Sequence, residues 1–280
     1  MYESMINAGG DPRPIGVFDS GLGGLTAVNA LAEMLPEEHF IYFGDTARTP
    51  YGSKAVGTIQ RFAVEIAEFL IKNDAKLIAI GCNTISATCL PLLRARFPDV
   101  SFVGIIEPAA RYAAEHFGPE RRLGVIGTKV TIESRQYEEM IRAFGGRCEV
   151  YSRACPLFVP AIEEGLEDTA LMDEIVRYYL DDFVRRHQLD ALVLGCTHYP
   201  LVEENIRRLY PALEVVNPSR IVAREVAAQL DRLNLRARER RGQDRFYASD
   251  LSDCFLRMIR SIIGQEETFV QKKNFEEDRL

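Results

Sequence analysis

A chain of 280 residues with 47% apolar and 27% charged side chains is composed like a globular protein, with length enough for one large α/β domain or two lobes. Its formal charge of −7 argues against the clustered cationic surface that nucleic-acid binding needs, so no nucleic-acid partner is expected. No apolar run approaches membrane-spanning length, and the first residues lack the basic start and apolar segment of a secretory signal, so a cytoplasmic protein without membrane insertion is expected.

In chain order, short β-prone apolar runs alternate with longer stretches of helical periodicity, the pattern of βαβ units and parallel sheets. Strands are predicted over IGVFD (15–19), HFIYFG (39–44), KLIAIG (76–81), SFVGI (101–105), RLGVIG (122–127), RCEVY (147–151), ALVLG (191–195) and LEVVN (213–217). Between 53 and 73, Ile59, Phe62, Ala63, Ile66, Phe69 and Leu70 form one stripe, so that helix should pack on a sheet face. GLGG (21–24) lacks both GxGxxG spacing and a GK[ST] ending, which sets aside a nucleotide loop. It reads instead as a close backbone turn under a substrate, ahead of a helix beginning near Leu25. The basic run 236–241 reads as a solvated helix end. Residues 218–280 read as helix, strand (RFYAS), helix and strand (ETFVQ).

Two parts of the chain echo each other. LIAIGCNT and LVLGCTHY both run apolar strand, Gly-Cys, polar residue, helix, with Phe or Tyr before Pro and another strand further on. IGVFDSG and LGVIGTK form a fainter pair, each ending in a small hydroxyl residue, Ser20 or Thr128. The expected fold is therefore α/β with two pseudo-symmetric lobes, each a mostly parallel sheet flanked by helices. Residues 1–106 with 218–280 would form the first lobe and 107–217 the second.

Six cysteines stand at 82, 89, 148, 155, 196 and 254, with no CxxC pair and no nearby histidine pattern of a zinc site, so reduced thiols and no metal are expected. Cys89, Cys148, Cys155 and Cys254 read as small core hydrophobes. Cys82 and Cys196 read differently. Each follows an apolar strand, precedes a helix, and is flanked by hydrogen-bonding residues, Asn83-Thr84 and Thr197-His198. A helix N-terminus should also lower the thiol pKa there. Facing each other across a cleft, two such thiols could invert a carbon centre: one takes a proton from one face while the other supplies a proton to the opposite face. Contact of both sulphurs with the reacting carbon would set them about 7 Å apart.

FDSGLGGL, YFGDTARTPYG, GCNT, FVPAIEEG and GCTHYP occur in the order and spacing of the glutamate racemases, which the chain resembles over nearly its whole length. The resemblance implies an active site between two lobes, no pyridoxal phosphate and no other cofactor. It also implies interconversion of L- and D-glutamate, with D-glutamate supplied to peptidoglycan, and a homo-oligomer, a dimer. By position it makes Cys82 and Cys196 the acid/base pair, with Asp19 supporting Cys82 and His198 supporting Cys196. Glu163 in PAIEEG resembles a family carboxylate near the second cysteine, with Glu164 offering the same chemistry beside it. Asp45 in GDTARTPYG matches another family carboxylate, its plain alternative being a turn or helix cap. Substrate contacts are implied for Asp19, Ser20, Tyr51, Gly52, Asn83, Thr84, Thr128, Thr197 and His198, with Tyr51-Gly52 backbone N–H groups suited to the side-chain carboxylate. Two alternatives stand beside this reading: an aspartate or hydantoin racemase of the same superfamily, and a regulator that binds an acidic ligand or a partner protein without turnover.

Overall fold

The computed structural model describes residues 10–264 and 270–275, apart from the side chains of Cys254 and Ser261. The reading of Cys254 as a core thiol and the first three residues of the predicted ETFVQ strand therefore lie outside the described residues.

Strands β1 (Ile15–Asp19), β2 (Phe40–Gly44), β3 (Leu77–Ile80) and β4 (Phe102–Gly104) are connected by helices α1 (Leu25–Met34), α2 (Val56–Lys72) and α3 (Asn83–Arg96). Helix α4 (Ile106–His116) then leads to β5 (Arg122–Gly127), β6 (Glu149–Ala154), β7 (Ala191–Gly195) and β8 (Glu214–Val216). Between these lie α5 (Lys129–Glu133), α6 (Gln136–Ala143), α7 (Phe158–Glu163), α8 (Ala170–His187) and α9 (Glu203–Leu209). Helix α10 (Pro218–Arg232) leads on to β9 (Arg245–Ala248), α11 (Asp253–Ile263) and β10 (Val270–Lys272).

The strands form two sheets, ordered β10-β9-β2-β1-β3-β4 and β6-β5-β7-β8, and every pairing is parallel. Continuous burial of β1, β2, β3 and β7 follows from helices covering both faces of a parallel sheet. On β1, Val17 joins one core cluster and Phe18 the other, so successive residues pack on opposite faces of the first sheet. Of the predicted stripe on α2, Ile59, Phe62, Ala63, Ile66 and Leu70 are buried, while Phe69 is half-buried at its edge against the Phe43 ring.

The order β2-β1-β3-β4 in the first sheet is repeated by β6-β5-β7-β8 in the second. Register carries the echo down to single residues. Phe18 of β1 pairs with Ile80 of β3, and Ile126 of β5 pairs with Leu194 of β7. Cys82 and Cys196 each stand two residues beyond those partners, and Ser20 and Thr128 stand two residues beyond Phe18 and Ile126. The same sheet edge thus presents equivalent residues in both halves.

Two sequence readings are corrected. The strand expected at 147–151 is β6, displaced to Glu149–Ala154. Two of its polar residues find partners on neighbouring helices: Ser152 donates to Glu138 at 2.8 Å and Arg153 to the Tyr179 carbonyl at 3.0 Å, which hides an edge strand from a hydrophobicity pattern. The basic run 236–241 is not a helix end. α10 stops at Arg232, Asn234 takes φ 54°, and the segment runs on with Ala237 bonded to the buried Glu38 carboxylate at 2.8 Å. Its arginines are largely neutralised by carboxylates, Arg236 by Asp231, Arg240 by Asp244 and Arg241 by Glu239.

Candidate active site

The carboxyl edges of β1, β3, β5, β6 and β7 open onto one cavity of about 390 Å³. Ligands of open parallel sheets collect at this edge because the strand-to-helix turns project there. Ser20, Tyr51, Gly52, Cys82, Asn83, Thr84, Thr128, Glu163, Cys196, Thr197 and His198 line it. Asp19 and Asp45 are fully buried and lie outside this lining.

Cys82 is the residue before the first turn of α3, with extended backbone angles of φ −130° and ψ 123°. Its thiol donates to Ser20 Oγ at 3.4 Å. Burial pushes the Cys82 thiol well above the usual range, and the neighbouring Asp19 carboxylate pushes it further. The expectation of a lowered pKa at this helix end is therefore corrected: desolvation and a like charge outweigh the backbone N–H groups. Asp19 itself is raised to about 6, first by burial, against the pull of His198 and of hydrogen bonds from Thr197, Gly21 and Ser20. Gly21 N–H donates to Asp19 Oδ1 at 2.7 Å, and Thr197 Oγ1 to Oδ2 at 3.0 Å.

On the opposite side, Cys196 Sγ is 3.9 Å from His198 Nδ1, and His198 Nε2 is 3.1 Å from Glu163 Oε1. Burial opposes protonation of His198, but the hydrogen bonds to Cys196 and Glu163 and the charges of Cys196 and Asp19 win, raising it to about 10. An imidazolium thus stands beside this sulphur at neutral pH. Glu163, rather than Glu164, makes the contact: Glu163 closes α7, while Glu164 is the residue past its end.

The remaining wall is made of oriented donors. Tyr137 donates to Asn83 Oδ1 at 2.7 Å, which leaves the buried Asn83 Nδ2 without a protein partner. Thr84, Thr128 and Thr131 form a triangle of hydroxyls at 3.0–3.3 Å, binding the α3 turn to the α5 turn. The glycines of GLGG make room for protein, correcting the reading of a turn under substrate. A Cβ on Gly23 would sit 2.6 Å from both His198 Nδ1 and Thr197 Oγ1, and one on Gly24 would sit 2.5 Å from Asp19 Cβ. Asp45 caps nothing with its side chain: it accepts from Arg48 Nε at 2.8 Å and from the Tyr51 hydroxyl.

Residues 16–226 match the family described as Asp/Glu/Hydantoin racemase. The chain belongs to that family. A glutamate racemase of Thermus thermophilus is 41% identical over 95% of this chain and 99% of its own length. One of Aquifex aeolicus is 40% identical over 90% of this chain and 94% of its own. The crystal structure of glutamate racemase from Francisella tularensis in complex with D-glutamate superposes with a TM-score of 0.88 at 35% identity, covering 95% of this chain and 99% of that one.

Sequence reasoning missed several members of this racemase's cavity wall: Thr49, Pro50, Ser53, Lys129, Cys155, Pro156, Val159, Pro160 and Tyr199. Cys155, read as a core thiol, is both fully buried and part of the wall. Register could have found it. Cys155 N–H donates to Gly127 O at 2.9 Å just as Asp45 N–H donates to Asp19 O at 3.1 Å, so Cys155 is the second half's counterpart of Asp45. Cys89 and Cys148 do pack in the cores.

Proposed function

We propose that this protein is an isomerase, a glutamate racemase that works without a cofactor through Cys82 and Cys196. The observation that carries the reading is the placement of these two thiols at equivalent register positions on a single cavity, each with a different helper behind it. The names of the relatives support glutamate as the substrate, and the Francisella tularensis structure was solved with D-glutamate.

In one direction the Cys82 thiolate removes the α-proton and the Cys196 thiol delivers a proton to the opposite face; the reverse direction exchanges the roles. Asp19 makes Cys82 a strong base by placing negative charge beside it, and a substrate ammonium near Asp19 offsets that charge on binding. The His198 imidazolium, held by Glu163, stabilises thiolate at Cys196 and restores its proton. Asn83 Nδ2 is a preformed donor for a carboxylate, and Thr84, Thr128, Thr197 and Ser20 supply hydroxyls around it. The Tyr51-Gly52 amides take the side-chain carboxylate.

In the cell the reaction supplies D-glutamate for peptidoglycan, in the cytoplasm, from a homodimer. No described helix is long and apolar enough to cross a membrane. Incubating the protein separately with L-glutamate and L-aspartate, without pyridoxal phosphate, tests the substrate. Loss of optical rotation with L-glutamate is expected, and loss with L-aspartate alone would replace it by an aspartate racemase.

A further inference from the structure

Behind the cavity wall runs a buried chain of charge. Glu65 of α2 accepts from Arg48 Nη1 at 2.5 Å; Arg48 Nε is shared by the two oxygens of Asp45 at 3.0 and 2.8 Å; and Asp45 accepts from the hydroxyl of Tyr51. The guanidinium lies 3.9 Å from the Phe62 ring centroid and is only 10% exposed. Tyr51 begins the tight turn Tyr51–Ser53, whose next residue, Gly52, has no room in front of it: a Cβ there would lie 2.7 Å from Thr128 Cβ. The turn is therefore wedged between the Asp45–Arg48 pair behind and Thr128 of the facing half in front.

From this wedge we propose that Arg48 is a positioning residue for substrate length, fixing through Asp45 and Tyr51 how far the Tyr51-Gly52 amides project into the cavity. The inference rests on the assignment of those amides to the substrate's side-chain carboxylate. A guanidinium suits the task because its planar fork binds one carboxylate through Nε and another through Nη1 at fixed angles, which an ammonium cannot reproduce. The carboxylate of aspartate, one methylene shorter, would not reach amides held at this depth, so a wall free to drift should blur the distinction between the two substrates.

Steady-state kinetics of Arg48→Gln and Arg48→Lys with L-glutamate, together with deuterium exchange at Cα of L-aspartate, test this. For Arg48→Gln the expected result is a KM for glutamate raised about tenfold, kcat within about threefold of wild type, and glutamate-over-aspartate selectivity lowered by at least about fivefold, with Arg48→Lys intermediate. Should Arg48→Gln fail to fold, Glu65→Gln loosens the same guanidinium while leaving every cavity-lining residue unsubstituted, and KM should rise about threefold with the same drop in selectivity. Unchanged KM and selectivity in the folded variants, or a loss confined to kcat, would overturn the proposal. A wild-type protein inactive on glutamate would instead overturn the substrate assignment, so the two failures are distinguishable.

Discussion

Thr197 Oγ1 donates to Asp19 Oδ2 across 3.0 Å, joining the turn that carries the second cysteine to the strand end behind the first. The same turn is held from below, where Thr26 Oγ1 donates to the Thr197 carbonyl at 3.1 Å and sits 3.0 Å from Ser219 Oγ on α10. One residue thus couples the electrostatics of both thiols to the contact between the halves of the molecule.

Thr197→Val should remove a bond that favours the ionised form of Asp19, raising a pKa already at about 6. A hydrogen bond to a charged group contributes about 1.5–3 kcal/mol, so kcat/KM near neutral pH should fall by about two- to fifteenfold and recover at higher pH. A pH–rate profile of the variant checks this; a uniform loss at every pH would contradict it.

With Asp19 at about 6 and His198 at about 10, kcat/KM should follow a bell between those values. The acid limb reports protonation of Asp19 and the alkaline limb deprotonation of His198. Glu163→Gln removes a bond that raises His198, so the alkaline limb should move to lower pH while the acid limb stays. The equilibrium constant between enantiomers is one, so kcat/KM must coincide in the two directions at every pH; the helpers differ, so the profiles of kcat should differ between the directions, and identical kcat profiles would show that Asp19 and His198 are misassigned.

Stability carries the same signature. The folded value of His198 lies above its ordinary 6.5, so its stabilisation is complete below that pH and is lost as pH climbs through about 10. Asp19, raised from 3.8 to about 6, has the same sign over its own lower window. Thermal melts should therefore decline as pH rises from 6.5 to about 10, and less steeply in His198→Asn.

Gly23→Ala tests how closely the halves approach. The new methyl would lie 2.6 Å from His198 and Thr197, a contact with no room to yield without displacing the turn after Cys196. Overpacking of this kind costs about 1–3 kcal/mol, and activity should fall at least about tenfold. Wild-type activity in this variant would mean that the turn is free to move.

Much of this is legible in the sequence, because parallel strands buried on both faces write themselves as apolar runs: β1, β2 and β7 lie almost where the pattern predicts them. The repeated Gly-Cys turns expose the two thiols and their polar neighbours. What stays hidden depends on tertiary pairing. β6 departs from its predicted place because Ser152 and Arg153 find partners on α6 and α8; Cys155 escapes notice because Ala154 and Pro156 beside it carry no polar side chain; and Asp45 carries a motif whose work, holding Tyr51 and Arg48, is visible only once the loop is folded.

Cys82→Ala and Cys196→Ala should each keep the fold and lose racemisation by about a thousandfold or more, since either change removes one of the two proton carriers. Circular dichroism and polarimetry decide between this and a spectator role, which substantial residual activity in either variant would indicate. A structure with D-glutamate bound should place the two sulphurs about 7 Å apart.

The most direct test follows the α-hydrogen. L-glutamate incubated with the wild-type protein in heavy water should yield D-glutamate carrying deuterium at Cα, while the unreacted L-glutamate at early times keeps its protium, because the thiol that removes the proton is not the one that delivers its replacement. Product that retains protium, early deuterium in the L-glutamate pool, or no exchange at all would contradict the assignment of Cys82 and Cys196 as two opposed acid/base residues.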